Sequence, residues 1–200
     1  MEKIPPNPKI ILATTSPYRK EAFEMLGLKF IAEDSNVDEN FEGRSAAPEK
    51  LVGQLSKMKA ESVAKNHPDR VIIGFDSVGW FRDAILEKPK SKDEALERLK
   101  VLSGNSFQFY TGVHIINNVS NQTLSRVVAT NVEMRAMSES EIKKYLNQDS
   151  NFNTYALGFD PLGHLSSSFV QKIEGSYNNL LRGIPLETIV EMLKGMGIEI

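Results

Sequence analysis

The 200-residue sequence has no cysteine. That removes disulfides, thiolate nucleophiles and cysteine-based zinc sites, and it suits a reducing cytoplasmic location. Histidine is scarce too, and His67, His114 and His164 have no metal-ligand spacing, so all three read as structural or surface residues. There is no excess of positive charge: Lys and Arg total 24 against 26 Asp and Glu, a net charge of -2. Proteins that bind duplex nucleic acid usually carry a basic excess, because phosphate contacts dominate their affinity. Nucleic acid is therefore not the expected partner, whereas a small phosphorylated ligand needs only a few cations. No apolar run approaches the roughly 20 residues that span a membrane. The opening Met1-Glu-Lys-Ile-Pro-Pro-Asn-Pro8 has no apolar stretch of a secretory leader and reads as a loose tail. No repeat or low-complexity tract is present. Hydrophobic residues at 40% and charged residues at 25% are ordinary for one folded domain, here taken as residues 1–200.

Strand and helix patterns alternate along the chain. Ile10 to Ala13 reads as a buried strand. Ser16 is a good N-cap before Pro17 at the first helical position, and Gly27 stops the helix. Leu28 to Ala32 resumes as strand, and Ser35 to Ala47 is loop. A helix follows over Glu49 to Lys65, with Leu51, Leu55 and Met58 at helical spacing. Val71 to Phe75 is a second apolar strand ending on Asp76. Val78 to Leu86 reads as a hairpin turning at Arg82-Asp83. Ser91 with Glu94, and Ser138 with Glu141, have capping-box spacing and open two further helices. Phe107 to Ile116 and Leu124 to Met134 read as long strands joined by Asn117–Asn121. Leu186, Ile189, Val190 and Leu193 mark a final helix. The expected class is α/β with a mixed sheet and one antiparallel pair in the middle.

Four segments carry chemistry. In Ala13-Thr-Thr-Ser-Pro-Tyr-Arg-Lys20 a strand ends, hydroxyls follow and a helix begins. The free N–H groups and dipole of a helix start favour an anion, which Arg19 or Lys20 could clamp. The alternative is a capped helix with basic surface residues. In Gly74-Phe-Asp-Ser77, Asp76 at a strand end could act as general base or hold Mg²⁺, or simply form a turn. Asn36-Val-Asp-Glu39 brings two acids into a loop, as metal ligands or as a solvated acidic stretch. In Leu86-Glu-Lys-Pro89, the proline holds Lys88 extended, either as a fixed cation at a site or as a solvated one. Lys59 shares a helical stripe with Leu55, so it either snorkels over the core edge or points into a cleft. Trp80 reads as packing, and Ser16 has no His/Asp partner for a triad.

Together these segments resemble the Maf family of nucleoside triphosphate pyrophosphatases, relatives of the inosine triphosphate pyrophosphatases. The resemblance runs from about Ile10 to Leu193. Leu12-Ala-Thr-Thr-Ser-Pro-Tyr-Arg19 is similar to the family's L-A-S-x-S-P-x-R. Val37-Asp-Glu39, Lys59-Ala60, Gly74-Phe-Asp76 and Leu86-Glu-Lys-Pro89 follow in the family's order. Leu102-Ser-Gly104, Tyr110-Thr-Gly-Val113, Ile173-Glu-Gly-Ser-Tyr-Asn178 and Gly183-Ile-Pro-Leu186 complete it. The resemblance implies a mixed, twisted sheet flanked by helices, in two lobes with a nucleotide cleft between them. It implies hydrolysis of the α–β phosphate bond of a nucleotide to a monophosphate and pyrophosphate, with Mg²⁺ or Mn²⁺ as cofactor. Asp76 would be the base or a metal-binding acid, Glu39 a second acid at the metal, and Lys88 a further catalytic cation. Ser16, Arg19 and Lys59 would hold the phosphates, with Tyr18 and Ser77 also at the substrate. Members of the family are often homodimers, but nothing in the sequence marks an interface. A nucleotide-binding regulator of cell division with little turnover is the alternative.

The departures bear on the base. The branch that prefers pyrimidines has two arginines after Ser-Pro, where this chain has Tyr18 first, and threonine after the aspartate, where it has Ser77. The Gln of a later family segment cannot be placed in the lengthened Ala156–Gly163 stretch. An aromatic at Tyr18 is similar to the branch that hydrolyses 7-methyl-GTP. A methylated guanine is cationic, so it would stack on Tyr18 with a cation–π component, and Asp160 could pair with it. UTP, dTTP or a modified pyrimidine triphosphate is the other expectation. Phe75 stands where the family has a small residue, and it would narrow the site if it faced it.

Overall fold

The computed structural model describes residues 10–200; the expected loose leader lies outside them. A seven-stranded mixed sheet runs in the order β2-β1-β3-β5-β6-β7, with β4 paired to β3 off that path. The strands are β1 (Ile10–Ala13), β2 (Phe30–Glu33), β3 (Val71–Phe81), β4 (Ala84–Leu86), β5 (Ser106–Asn117), β6 (Gln122–Met134) and β7 (Val170–Glu174). The helices are α1 (Pro17–Glu24), α2 (Pro48–Ala64), α3 (Lys92–Leu102), α4 (Glu139–Gln148), α5 (Tyr177–Arg182) and α6 (Leu186–Gly195). The chain divides into two compact units. The first holds the described part of Met1–Asp76 with Thr111–Val127 and Arg182–Ile200, and the second holds Ser77–Tyr110 and Val128–Leu181.

In the first unit β1 pairs in parallel with β2 and β3. Strands in such pairs are covered on both faces, which is why Ile10–Ala13 and Val71–Phe75 read as unbroken apolar runs. Alternation splits each run between two cores. Ile10, Leu12, Val71, Ile73 and Phe75 pack with α1 and α6, while Ile11, Ala13 and Ile72 pack with Ala60 and Val63 of α2. Phe75 is therefore wholly buried, on the opposite side of β3 from Gly74 and Asp76, and does not narrow their side.

The second unit has one core, in which α3, α4 and α5 cover one face of β5 and β6 through Leu99, Tyr145, Leu180, Phe109 and Val132. The Ala156–Gly163 stretch contributes Leu157 and Phe159 to it, so its extra length fills a core. The other face, with Gln108, Asn131 and Glu133, is left at least partly exposed.

Three details depart from the expectations. β3 does not end at Asp76. Val78, Trp80 and Phe81 extend it, and Gly79–Phe81 pair with β4 across Arg82-Asp83, both at positive φ. Glu94 accepts from the Lys90 N–H, not from Ser91, so only Ser138 and Glu141 form a reciprocal capping box. β7 and α5 had no strand or helix pattern of their own: Val170–Glu174 is short and adds at the sheet edge, antiparallel to β6.

α2 lies almost on the sheet backbone. A Cβ at Gly74 would stand 2.1 Å from the Ser56 carbonyl oxygen and 2.7 Å from the Ala60 nitrogen. One at Gly112 would stand 2.2 Å from the Val52 carbonyl oxygen. Gly74→Ala must push the helix away, so we expect a loss of about 3 kcal/mol, at the upper end of overpacking effects. Chemical denaturation measures it, and an unchanged midpoint would contradict the close approach.

Candidate active site

The acids and cations of the first unit meet around Lys59. Gly74 lets α2 approach β3, and Lys59, on that helix, then reaches Asp76 two residues further along the strand. The Lys59 ammonium lies 2.7 Å from Asp76 Oδ1 and 2.7 Å from Glu39 Oε1. The two acids differ in their access to water: the Asp76 side chain is 10% exposed and that of Glu39 50%. Asp76 is therefore fixed by a dry, charge-assisted hydrogen bond, whereas Glu39 sits on the 34–47 loop and is free to exchange Lys59 for another partner.

Burial pushes the Asp76 carboxyl above the usual carboxylate range. Lys59 and then Arg19 oppose that rise, and the Glu39 charge adds to it. A raised pKa makes a stronger base once the proton is gone.

Arg19 approaches from α1. Ser16 caps this helix, its Oγ accepting from the Arg19 N–H at 3.4 Å, while the Ser16 N–H donates to Thr14 Oγ1 at 3.2 Å. Arg19 Nε donates to the Gly183 carbonyl at 2.9 Å, and its guanidinium stands 5.6 Å from the Phe75 ring centroid. The residue after Gly74 thus anchors a cation from the opposite face of β3. Burial lowers the Arg19 pKa, and the Asp76 and Glu39 charges counter this; an arginine stays charged regardless.

Sequence reading overlooked Arg182, whose guanidinium carbon lies 5.9 Å from the Tyr18 ring centroid and whose Nε is 3.6 Å from Glu21. It is a single cation between two apolar motif positions and has no spacing signal. One cation already sits on a face of Tyr18, the residue expected to stack a cationic base.

Of the expected residues, Ser16, Tyr18, Arg19, Glu39, Lys59 and Asp76 belong to the first unit, and Glu39, Lys59 and Asp76 make direct contact. Ser77 and Lys88 belong to the second, Ser77 half-buried and Lys88 exposed before buried Pro89. Asp160 is also there. Its Oδ1 accepts from the Leu162 N–H at 3.0 Å, and its carbonyl accepts from the Ser166 hydroxyl. His114 bonds Ser125 and His67 bonds Glu33, in line with structural roles.

Among the described residues no three His, Asp or Glu side chains gather as a complete metal site. Glu39 and Asp76 present two oxygen donors to one point, now bridged by Lys59. That set fits a hard divalent ion, which takes its remaining ligands from phosphate and water.

The family model described as "Maf-like protein" matches residues 9–196. A protein of Hahella chejuensis named 7-methyl-GTP pyrophosphatase is 35% identical over 195 residues, 98% of this chain and 97% of that protein. One of Bacillus cereus named dTTP/UTP pyrophosphatase is 35% identical over 192 residues, 96% of this chain and 97% of that protein. Among solved structures, the Ham1 protein of Staphylococcus aureus superposes with a TM-score of 0.55 at 13% identity, covering 94% of this chain and 99% of that one. That likeness concerns the fold alone.

The raised Asp76 pKa has a consequence for stability. Between the ordinary carboxylate pKa and the raised one, the folded state holds a proton that the unfolded chain has lost. Stability therefore falls as pH rises through that window, and ionised Asp76 destabilises the fold above it. Asp76→Asn is expected to melt at the same temperature as wild type or higher near neutral pH. A clearly lower melting temperature would mean that the Lys59 hydrogen bond outweighs burial.

Proposed function

The chain belongs to the family of Maf-like proteins, and we propose that it is a nucleoside triphosphate pyrophosphatase. It would hydrolyse the α–β phosphate bond to give a nucleoside monophosphate and pyrophosphate. The carrying observation is the Lys59 ammonium shared between Asp76 and Glu39. The names of the two relatives support the reaction class, and they leave the base as either 7-methylguanine or a pyrimidine.

In this reading Asp76 accepts a proton from the attacking water as its oxygen bonds to the α-phosphorus, and the bond to the β-phosphate oxygen breaks. Its raised pKa suits it to that role near neutral pH. Lys59 holds the Asp76 carboxylate in one orientation and presents positive charge to the phosphates. Arg19 adds a second cation, pre-positioned by Phe75 and Gly183, and the start of α1 at Ser16 offers N–H groups to an anion. Tyr18 keeps Arg182 in place as a further cation beside α1. Lys88 and Ser77 are assigned to the substrate by motif. Glu39 and Asp76 would hold Mg²⁺ or Mn²⁺; the ion's contribution is to neutralise phosphate charge and orient the water. The substrate is a free nucleotide, and the absence of cysteine suits a cytoplasmic enzyme.

The test is pyrophosphate release with Mg²⁺ or Mn²⁺ from UTP, dTTP, 7-methyl-GTP, GTP and ITP. We expect turnover on at least one, reduced at least about a thousandfold by Asp76→Asn, as befits a lost general base aided by a lost ligand. Binding without turnover on any nucleotide would favour the regulator instead. The acid limb of the rate profile is expected above the ordinary carboxylate range. Lys59→Met, which removes the main influence holding the Asp76 pKa down, should move it to still higher pH. A limb that stays put in the variant would separate Asp76 from the proton transfer.

A further inference from the structure

The second unit carries a groove of about 460 Å³ on the sheet face turned away from its core. It is lined by Trp80, Gln108, Asn131, Glu133, Lys172 and Glu174, among others. Trp80 follows Asp76 by four residues on β3 and is half-buried, so one part of its indole is available to a ligand.

The polar groups here have a definite pattern. Gln108 Oε1 accepts from the Tyr110 hydroxyl at 2.8 Å, and its Nε2 donates to Asn131 Oδ1 at 3.0 Å. Those bonds orient both amides and leave the Asn131 nitrogen as a donor into the groove. Glu133 lies two residues along β6 and so shares the face of Asn131. Lys172 is opposite Glu133 in the β6–β7 register, yet its ammonium donates to Glu174. The two carboxylates and one ammonium leave this end of the groove net negative.

We propose that the groove is a base-reading subsite for a guanine-type base and that it favours the cationic, N7-alkylated form; the proposal rests on the nucleotide reading above. Guanine presents one acceptor, O6, next to two donors, N1–H and N2–H. The Asn131 amide nitrogen complements the acceptor, and the Glu133 carboxylate takes both donors. Uracil and thymine offer a single ring N–H between two carbonyls, so neither can bind a carboxylate through two donors. A positively charged ring gains from the indole face and from the negative end of the groove. Tyr18 offers a poorer platform for such a ring, because Arg182 already lies over it.

Trp80 is the chain's single tryptophan, so its emission reports the groove directly. The intact protein is titrated, in EDTA to prevent turnover, with 7-methyl-GMP, GMP and UMP. We expect saturable quenching by 7-methyl-GMP, weaker binding by GMP and no quenching by UMP. Glu133→Gln, at an exposed strand position, should weaken 7-methyl-GMP binding about tenfold, the scale of one charge-assisted hydrogen bond, with an unchanged melting temperature. No quenching by 7-methyl-GMP, equal quenching by UMP, or a Glu133→Gln variant that binds like wild type would each overturn the subsite. Pyrophosphate release without Trp80 quenching would sink the subsite and leave the enzyme standing. Quenching without turnover on any triphosphate would do the reverse.

Discussion

One ammonium group, that of Lys59, organises the first unit's polar interior. Two carboxylates placed near each other in a half-dry site repel and resist ionisation, and a shared cation is what lets them coexist. Without it Asp76 would be an uncompensated acid beside apolar packing, and Glu39 would have little reason to fold its loop toward the sheet. The surrounding structure serves that one contact. Gly74 and Gly112 give up their side chains so that α2 can lie close, and a cation of lysine's length then reaches the strand. Phe75, on the reverse of β3, holds Arg19 at a distance where its charge is felt by Asp76 without displacing Lys59.

Much of this could be read from the residues, for a physical reason. Capping, turn chemistry and apolar periodicity act over a few positions, so β1, α1, α2, α4 and α6 were recognisable from their own sequences. The elements that escaped depend on distant neighbours. Val170–Glu174 becomes a strand because β6 offers it an edge, and Tyr177–Arg182 becomes a helix although its sequence has no clear apolar period. β3 outruns its apolar stretch because the β4 hairpin keeps it paired.

The site shows the same division. Ser16, Arg19, Glu39, Lys59 and Asp76 were picked out by type and motif, but no spacing in the chain could show that Lys59 touches both acids. Nor could it show that Phe75 turns away from them, since that depends on which face of β3 α2 covers. Arg182 had no signal because its meaning comes from Tyr18, far off in sequence. Trp80 looked like packing; only the sheet's partly exposed second face shows that one side of it is not packed.

The alternation along Val71–Asp76 carries two instructions at once. Odd positions build the core with α1 and α6, and even ones, from Gly74 on, build the contact with Lys59. An insertion or deletion of one residue in that stretch would exchange them, sending a carboxylate into the apolar layer and a phenyl ring against the helix backbone. Folding errors and catalytic errors are thus the same error here, and any mis-registered chain is rejected by its own packing. Divergence in length is expected to collect instead in loops such as 34–47, where an added residue changes no face.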